Sequence, residues 1–265
     1  MSDSLQDTFV AIISDFFSTF SIDNPVIPDY RIVDDIAEAY LELRPDVLRQ
    51  SSLSASDLNN YNGFAVAPKK MDGTFTVLIN KKNMLENIEN KNAAWVGTIA
   101  HETTHVQDFT QYAQMTCARS YDTILRIELH GMFNLWTEVN ARAKGYYFTR
   151  KYTFGEEKLR DRSQVDNIKN IELSYQKKLL HENYHATNDG FQQAYLVAQY
   201  IGRLYTIQQL FPQDFSDEWI AGHFGDNKWM TDWFLFYKQF PTLSSASNHF
   251  DDMKAILRQN FIGLE

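Results

Sequence analysis

The chain has a single cysteine, Cys117, among 265 residues. An intramolecular disulfide framework is therefore excluded, and a reducing compartment is expected. With no histidine in register beside it, Cys117 reads as a small buried residue rather than a nucleophile. Positive charge is also scarce: 25 Lys and Arg stand against 34 Asp and Glu, a net charge of −9. Phosphate recognition needs a basic surface, so nucleic acid is not expected as the main partner. No cationic stretch precedes the apolar run Phe9-Val10-Ala11-Ile12-Ile13, so a signal peptide is not expected and a cytoplasmic location is. Asp7 and Asp15 bracket that run, and Phe16, Phe17 and Phe20 continue it as an amphipathic core helix. It is too short for a membrane span, and no stretch elsewhere is long and apolar enough to cross a bilayer. Repeats and low-complexity tracts are absent as well.

What is present is core-forming material. Hydrophobic residues make up 44 % of the chain, with 19 Phe and 14 Tyr, enough for one large domain or a core with a helical appendage. Helical periodicity predicts segments at about 3–20 and 30–43, with the Pro25 and Pro28 loop between them. The polar link Ser51–Asp57 follows. Strands are expected at Phe64–Ala67 and at Thr74–Asn80, the latter bounded by Asp72-Gly73. Helices are then expected at about 93–113 and 120–152, as a charged helix running to about 184, and at Phe191–Phe211, stopped by Pro212. Short Trp- and Phe-rich helices should fill 216–262. The predicted fold class is α+β, predominantly helical. Its parts are an N-terminal helical segment (1–60), a core (61–153) and a helical C-terminal part (154–265).

The chemistry concentrates in His101-Glu102-Thr103-Thr104-His105. Histidines four residues apart stack one turn apart on a helix face, from which both rings can reach one metal ion. Glu102 stands beside the first of them, where a carboxylate can take a proton from a metal-activated water. The preceding Ala93–Ala100 is uncharged, which suits a helix buried along most of its length. Asp108 follows three residues after His105 and could accept a hydrogen bond from a ligand's other ring nitrogen.

Two imidazoles leave zinc under-coordinated, and the segment Phe133–Arg142 offers Glu138 as third ligand. Asn134 one turn before and Arg142 one turn after are placed to brace its carboxylate. Glu128 is a rival, but its neighbours Ile127, Leu129 and His130 give it no such bracket. A second His-Glu-x-x-His occurs at His181–His185, with Glu218 placed beyond it as Glu138 is beyond His105. Its flanks argue against a metal: Lys177 and Lys178 precede it, and Asn188-Asp189-Gly190 ends its helix. Histidines in a last turn suit the helix dipole without any ligand role.

Strand, short connection and uncharged helix bearing His-Glu-x-x-His, with a downstream glutamate, resemble the gluzincin type of zincin metallopeptidase over roughly residues 61–145. Gln107 departs from that pattern, standing where zincins usually carry an apolar residue. The resemblance implies a zincin-like core with a small antiparallel sheet and an active-site helix. It implies Zn2+ held by His101, His105 and Glu138, and hydrolysis of a peptide or protein substrate with Glu102 as general base. Tyr184 or His185 would be available to stabilise an oxyanion. It further suggests that the strand ending at Asn80 pairs with extended substrate through a free edge. The competing readings are a zincin-like binding or regulatory protein that cleaves nothing, and a helical protein in which the motif is accidental. The presence of Glu102 favours an active peptidase over the silent binding protein.

Overall fold

Pro25 and Pro28 cannot continue a helix, and the chain leaves its first helix through them into a strand rather than into a second helix. In the computed structural model, residues 3–46, 58–258 and 260 are described; the polar link at 51–57 lies outside them. The described chain is predominantly helical, with one small sheet. It divides into two units, Met1–Thr123 with Tyr147–Thr153, and Ile124–Tyr146 with Phe154–Glu265.

The first unit opens with α1 (Asp3–Thr19), followed by β1 (Asp29–Val33) and α2 (Ile36–Leu43). The expected helix over 30–43 is thus half strand. Ile32, Val33, Ile36, Ala37 and Tyr40 keep a helical apolar spacing, but Asp35 caps α2 by accepting from the Glu38 amide, at 2.8 Å. That cap fixes where the helix starts. Next come β2 (Gly63–Val66) and β3 (Thr76–Asn80). The sheet order is β1-β3-β2, with β1 parallel and β2 antiparallel to β3. The sheet is therefore mixed, not antiparallel as expected, because the unforeseen β1 joins it in the parallel sense. All five β3 residues are buried, as befits a central strand covered on both faces.

Two helices supply the covers. Leu78 packs with Val66, Ile36, Ala37 and Leu58 on the α2 side. The opposite face carries Gly63, paired with Ile79, and Tyr30, paired with Val77. Against that face lies α4 (Ala94–Met115), reached through α3 (Lys81–Glu89), whose N-cap is Asn80. Tyr30 shares a 2.7 Å hydrogen bond with Thr103 of α4. Gln107 clamps the proline loop from α4, accepting from the Val26 amide at 2.9 Å and donating to its carbonyl at 2.7 Å. Its polarity, the one departure from the zincin pattern, therefore has a local cause. Cys117 is exposed, not buried. It occupies the left-handed position (φ 50°) just past α4, where the Ala118 amide reaches back to Ala113 O at 2.9 Å, as in a Schellman end. Buried Arg44 anchors α5 (Tyr121–Ile124) through both Asp122 oxygens, at 2.8 and 2.9 Å.

Helix α6 (Ile127–Phe154) is non-helical at His130 (φ −129°). Its end, from Tyr147 on, packs on α1 through Phe16, Phe20 and Phe148, and Lys151 pairs with Asp15 at 2.8 Å.

In the second unit the expected charged helix to about 184 is broken. Gly155 (φ 79°) ends α6, two 3₁₀ turns follow at Glu156–Lys158 and Arg162–Gln164, and Ile168–Glu172 is π-helical before α7 (Leu173–Ala186). Clustered charge leaves that segment without an apolar face long enough to hold one straight helix. Then come α8 (Gly190–Leu210), α9 (Asp217–Phe224), α10 (Lys228–Gln239), α11 (Leu243–Ala246) and α12 (Phe250–Arg258). Buried Trp233, Phe234 and Tyr237 of α10 supply much of this core, and Tyr237 donates to Asn140 of α6 at 3.0 Å. No helix among the described residues is long and apolar enough to cross a membrane.

His223 of α9 is stacked on Trp219 and hydrogen-bonded to the Tyr200 hydroxyl at 2.6 Å. Burial, aided by the Lys177 charge, pushes its pKa down from 6.5 to about 4. The folded protein thus resists a proton that the unfolded chain accepts. This contribution to stability is complete above about pH 6.5 and fades as pH falls towards 4. Chemical denaturation of His223→Gln should show a flatter pH dependence than wild type across that window; an unchanged slope would assign it to other groups.

Candidate metal centre

Helix α4 carries the first motif with little contact with water. His101 is 9 % exposed, Glu102 8 %, Thr103 1 % and Thr104 0 %. The two threonines are tolerable there because each hydroxyl donates back to the carbonyl one turn earlier, at 2.6 and 2.8 Å. His105 is half-buried and stacks on Phe109, its ring 15° from parallel. The two imidazoles stand nearly perpendicular (85°), with Nε2 atoms 3.1 Å apart. That is the separation of a hydrogen-bonded imidazole pair. It is also close to the roughly 3.3 Å expected for two nitrogens about 2.05 Å from one zinc in tetrahedral geometry.

Glu138 on α6 is 2 % exposed. One ligand atom each from His101, His105 and Glu138 lies within 4.8 Å of the others, so this buried group could hold a metal ion. The donor set itself, two imidazoles and one carboxylate, fits zinc with an open coordination position. Asp108 is buried on the same helix, 4 % exposed.

The brackets expected around Glu138 serve other purposes. Asn134 donates to the Ile124 and His130 carbonyls at 3.3 and 3.0 Å, and so repairs the break at His130. Arg142 donates to Gln199 at 3.0 Å. Their spacing puts them on the right stretch of helix, but backbone repair and a neighbouring helix claim them. Glu128 is exposed and outside the group.

The second motif brings no third donor to its histidines among the described residues. His181, Glu182 and His185 are exposed at the end of α7, where Glu182 pairs with Lys178 at 3.7 Å. Lys177 turns away to the His223 carbonyl at 2.6 Å. Glu218 is exposed in the first turn of α9, its carboxyl held low by the Ser216 hydroxyl. Tyr184 is half-buried, and burial raises the pKa of its phenol.

The expected substrate-pairing role of Thr74–Asn80 is overturned. β3 is hydrogen-bonded on both sides, to β1 and to β2, and has no free edge. Sequence reading also missed Gly63 of β2. A Cβ there would meet Thr98 Cγ2 at 2.7 Å and Glu102 Cγ at 3.0 Å. Only a glycine lets the strand come this close to the motif helix, and a lone glycine opening a strand was the available signal. Gly63→Ala should displace Glu102 and cost about 1–3 kcal/mol by overpacking. Urea denaturation measures this, and an unchanged midpoint would show that the helix yields freely.

Comparisons of the chain with protein-family models, with curated proteins and with solved structures give no match.

Proposed function

We propose that the chain is a zinc metallopeptidase of gluzincin type, with a zincin-like core formed by β2, β3 and α4. The observation that carries the reading is the convergence of His101, His105 and Glu138, with the carboxylate of Glu102 buried on the same helix. Zinc, when bound, supplies Lewis acidity that acidifies water and polarises a carbonyl. The remaining work falls to the chain. Glu102 accepts the proton of the attacking water and returns it to the departing amine, as a general base and then acid. The buried helix holds that carboxylate in one place and limits competing water, which strengthens its electrostatic effect. An extended peptide would add to the sheet at β2, the edge strand whose Gly63 approaches Glu102, rather than at β3. Tyr184 or His185 is the proposed donor to the oxyanion.

The test is cleavage of a peptide library or a mixture of unfolded proteins by zinc-loaded protein, with the Glu102→Gln variant alongside. The reading predicts cleavage that is stopped by a chelator and restored by zinc. Cleavage indifferent to both chelator and Glu102→Gln contradicts it.

A further inference from the structure

The second unit packs two guanidinium groups, Arg142 and Arg203, beside a single carboxylate, Glu172. Gly202 brings α8 against α6 so closely that a Cβ would meet Arg142 Cβ at 2.9 Å and Ala143 N at 3.0 Å. Thr206, one turn on, donates to the Ala143 carbonyl at 2.7 Å. This contact aligns two rungs of side chains. Arg142 and Tyr146 are one turn apart on α6, and Gln199 and Arg203 are one turn apart on α8. Arg142 Nη2 donates to Gln199 Oε1 at 3.0 Å, and the Arg203 guanidinium lies 5.1 Å from the centre of the Tyr146 ring. The two arginines thus occupy diagonal corners of one patch, about one helical rung apart.

The acceptors around them do not balance their charge. Arg142 Nε is buried with no hydrogen-bond acceptor. Among the described residues Arg142 donates to the neutral Gln199 amide, and Arg203 lies over the Tyr146 ring with the Glu172 carboxylate among the charges acting on it. The carboxylate in this neighbourhood, Glu172, accepts a hydrogen bond from the Tyr146 hydroxyl. It stands at the end of the π-helical turn Ile168–Glu172, a conformation frequent at functional sites. Burial lowers the pKa of Arg203; Tyr146 and Glu172 oppose the shift, and the Arg142 charge adds to it. Two partly buried like charges raise each other's energy, and a single carboxylate offsets only one of them.

We propose that Arg142 and Arg203 form a binding site for an oxyanion, a carboxylate or a phosphate. Such a group presents paired oxygens that match the planar fork of a guanidinium. Both arginines are half-buried, which leaves a small anion a way in. Arg142 follows Glu138 by one turn of α6, so the anion sits within about 6 Å of helix rise from the metal-binding carboxylate. This assignment does not depend on the peptidase reading, since neither arginine belongs to the group that could hold a metal ion.

Calorimetric titration of the full chain tests it, in chloride buffer of constant ionic strength. The ligands are inorganic phosphate, an acetylated tripeptide with a free C-terminal carboxylate, and the same tripeptide amidated. One saturable site is expected for at least one of the two anions and none for the amide. A free-carboxylate peptide that outcompetes phosphate identifies a peptide terminus as the occupant; the reverse order identifies phosphate. Arg142→Met and Arg203→Met should each weaken binding about 10- to 100-fold, the effect of a lost charged hydrogen bond. Arg142→Lys and Arg203→Lys keep the charge but lose the fork, so they too should weaken it, which covers the case of a methionine variant that does not fold. No saturable binding of either anion, or binding unchanged in the folded variants, overturns the proposal. Neither result bears on metal content, so failure here and failure of the zinc reading are separable.

Discussion

His101→Ala is expected to abolish stoichiometric zinc binding, while His181→Ala leaves it intact. The two histidines open identical five-residue patterns, yet their surroundings differ in kind. His101 faces His105 with ring nitrogens 3.1 Å apart and has the Glu138 carboxylate within the same 4.8 Å group. His181 is exposed beside a lysine-paired glutamate. Losing one of three protein ligands should weaken zinc far beyond the roughly 10- to 100-fold typical of a lost supporting partner. Elemental analysis after dialysis against a weak chelator reads the difference directly. Equal zinc loss in both variants would remove the assignment, and zinc loss in His181→Ala alone would move the metal to the second motif.

Glu102→Gln should keep zinc and lose activity. The amide retains the volume and most of the packing of the carboxylate, so the buried helix and the ligand set stay in place. It cannot take a proton, and general-base catalysis typically contributes about 10²–10⁴ in rate. Zinc content and cleavage rate are measured on the same preparation. Retained zinc with a rate reduced at least a hundredfold supports the proposed role. An undiminished rate assigns the proton transfer to another group.

Legibility in the sequence followed the strength of each local signal. The long uncharged run into the motif placed α4 within a residue or two of its bounds, and the strand expected at Thr74–Asn80 forms at Thr76–Asn80. β1 was hidden because Ile32 and Val33 fall in helical register with Ile36 and Tyr40, so one apolar rhythm spanned two elements. Only the Asp35 cap marks the seam. Helix bounds were readable where a proline stops the chain, as Pro212 does after α8, but not where charge dissolves the pattern between Gly155 and α7. The choice of Glu138 over Glu128 rested on polar neighbours four residues away. Glu138 is the one buried in the group, although Asn134 and Arg142 turn out to serve a helix break and a neighbouring helix. Periodicity says which face a side chain occupies, and it is silent on which of several partners takes it. For the same reason Gly63 and Gly202, whose value lies in what comes close to them in space, are signalled in the chain only as a glycine within a strand or a helix.

The most direct test of the metal site is X-ray absorption at the zinc edge on protein loaded with one equivalent of zinc. Zinc held by His101, His105 and Glu138 should show a first shell of nitrogen and oxygen at about 2.0–2.1 Å without sulfur, with the multiple scattering of two imidazoles. His105→Ala should reduce that signal to one imidazole, and Glu138→Ala should leave both. A shell of water oxygens alone, or two imidazoles that persist when His105 is removed, would contradict it.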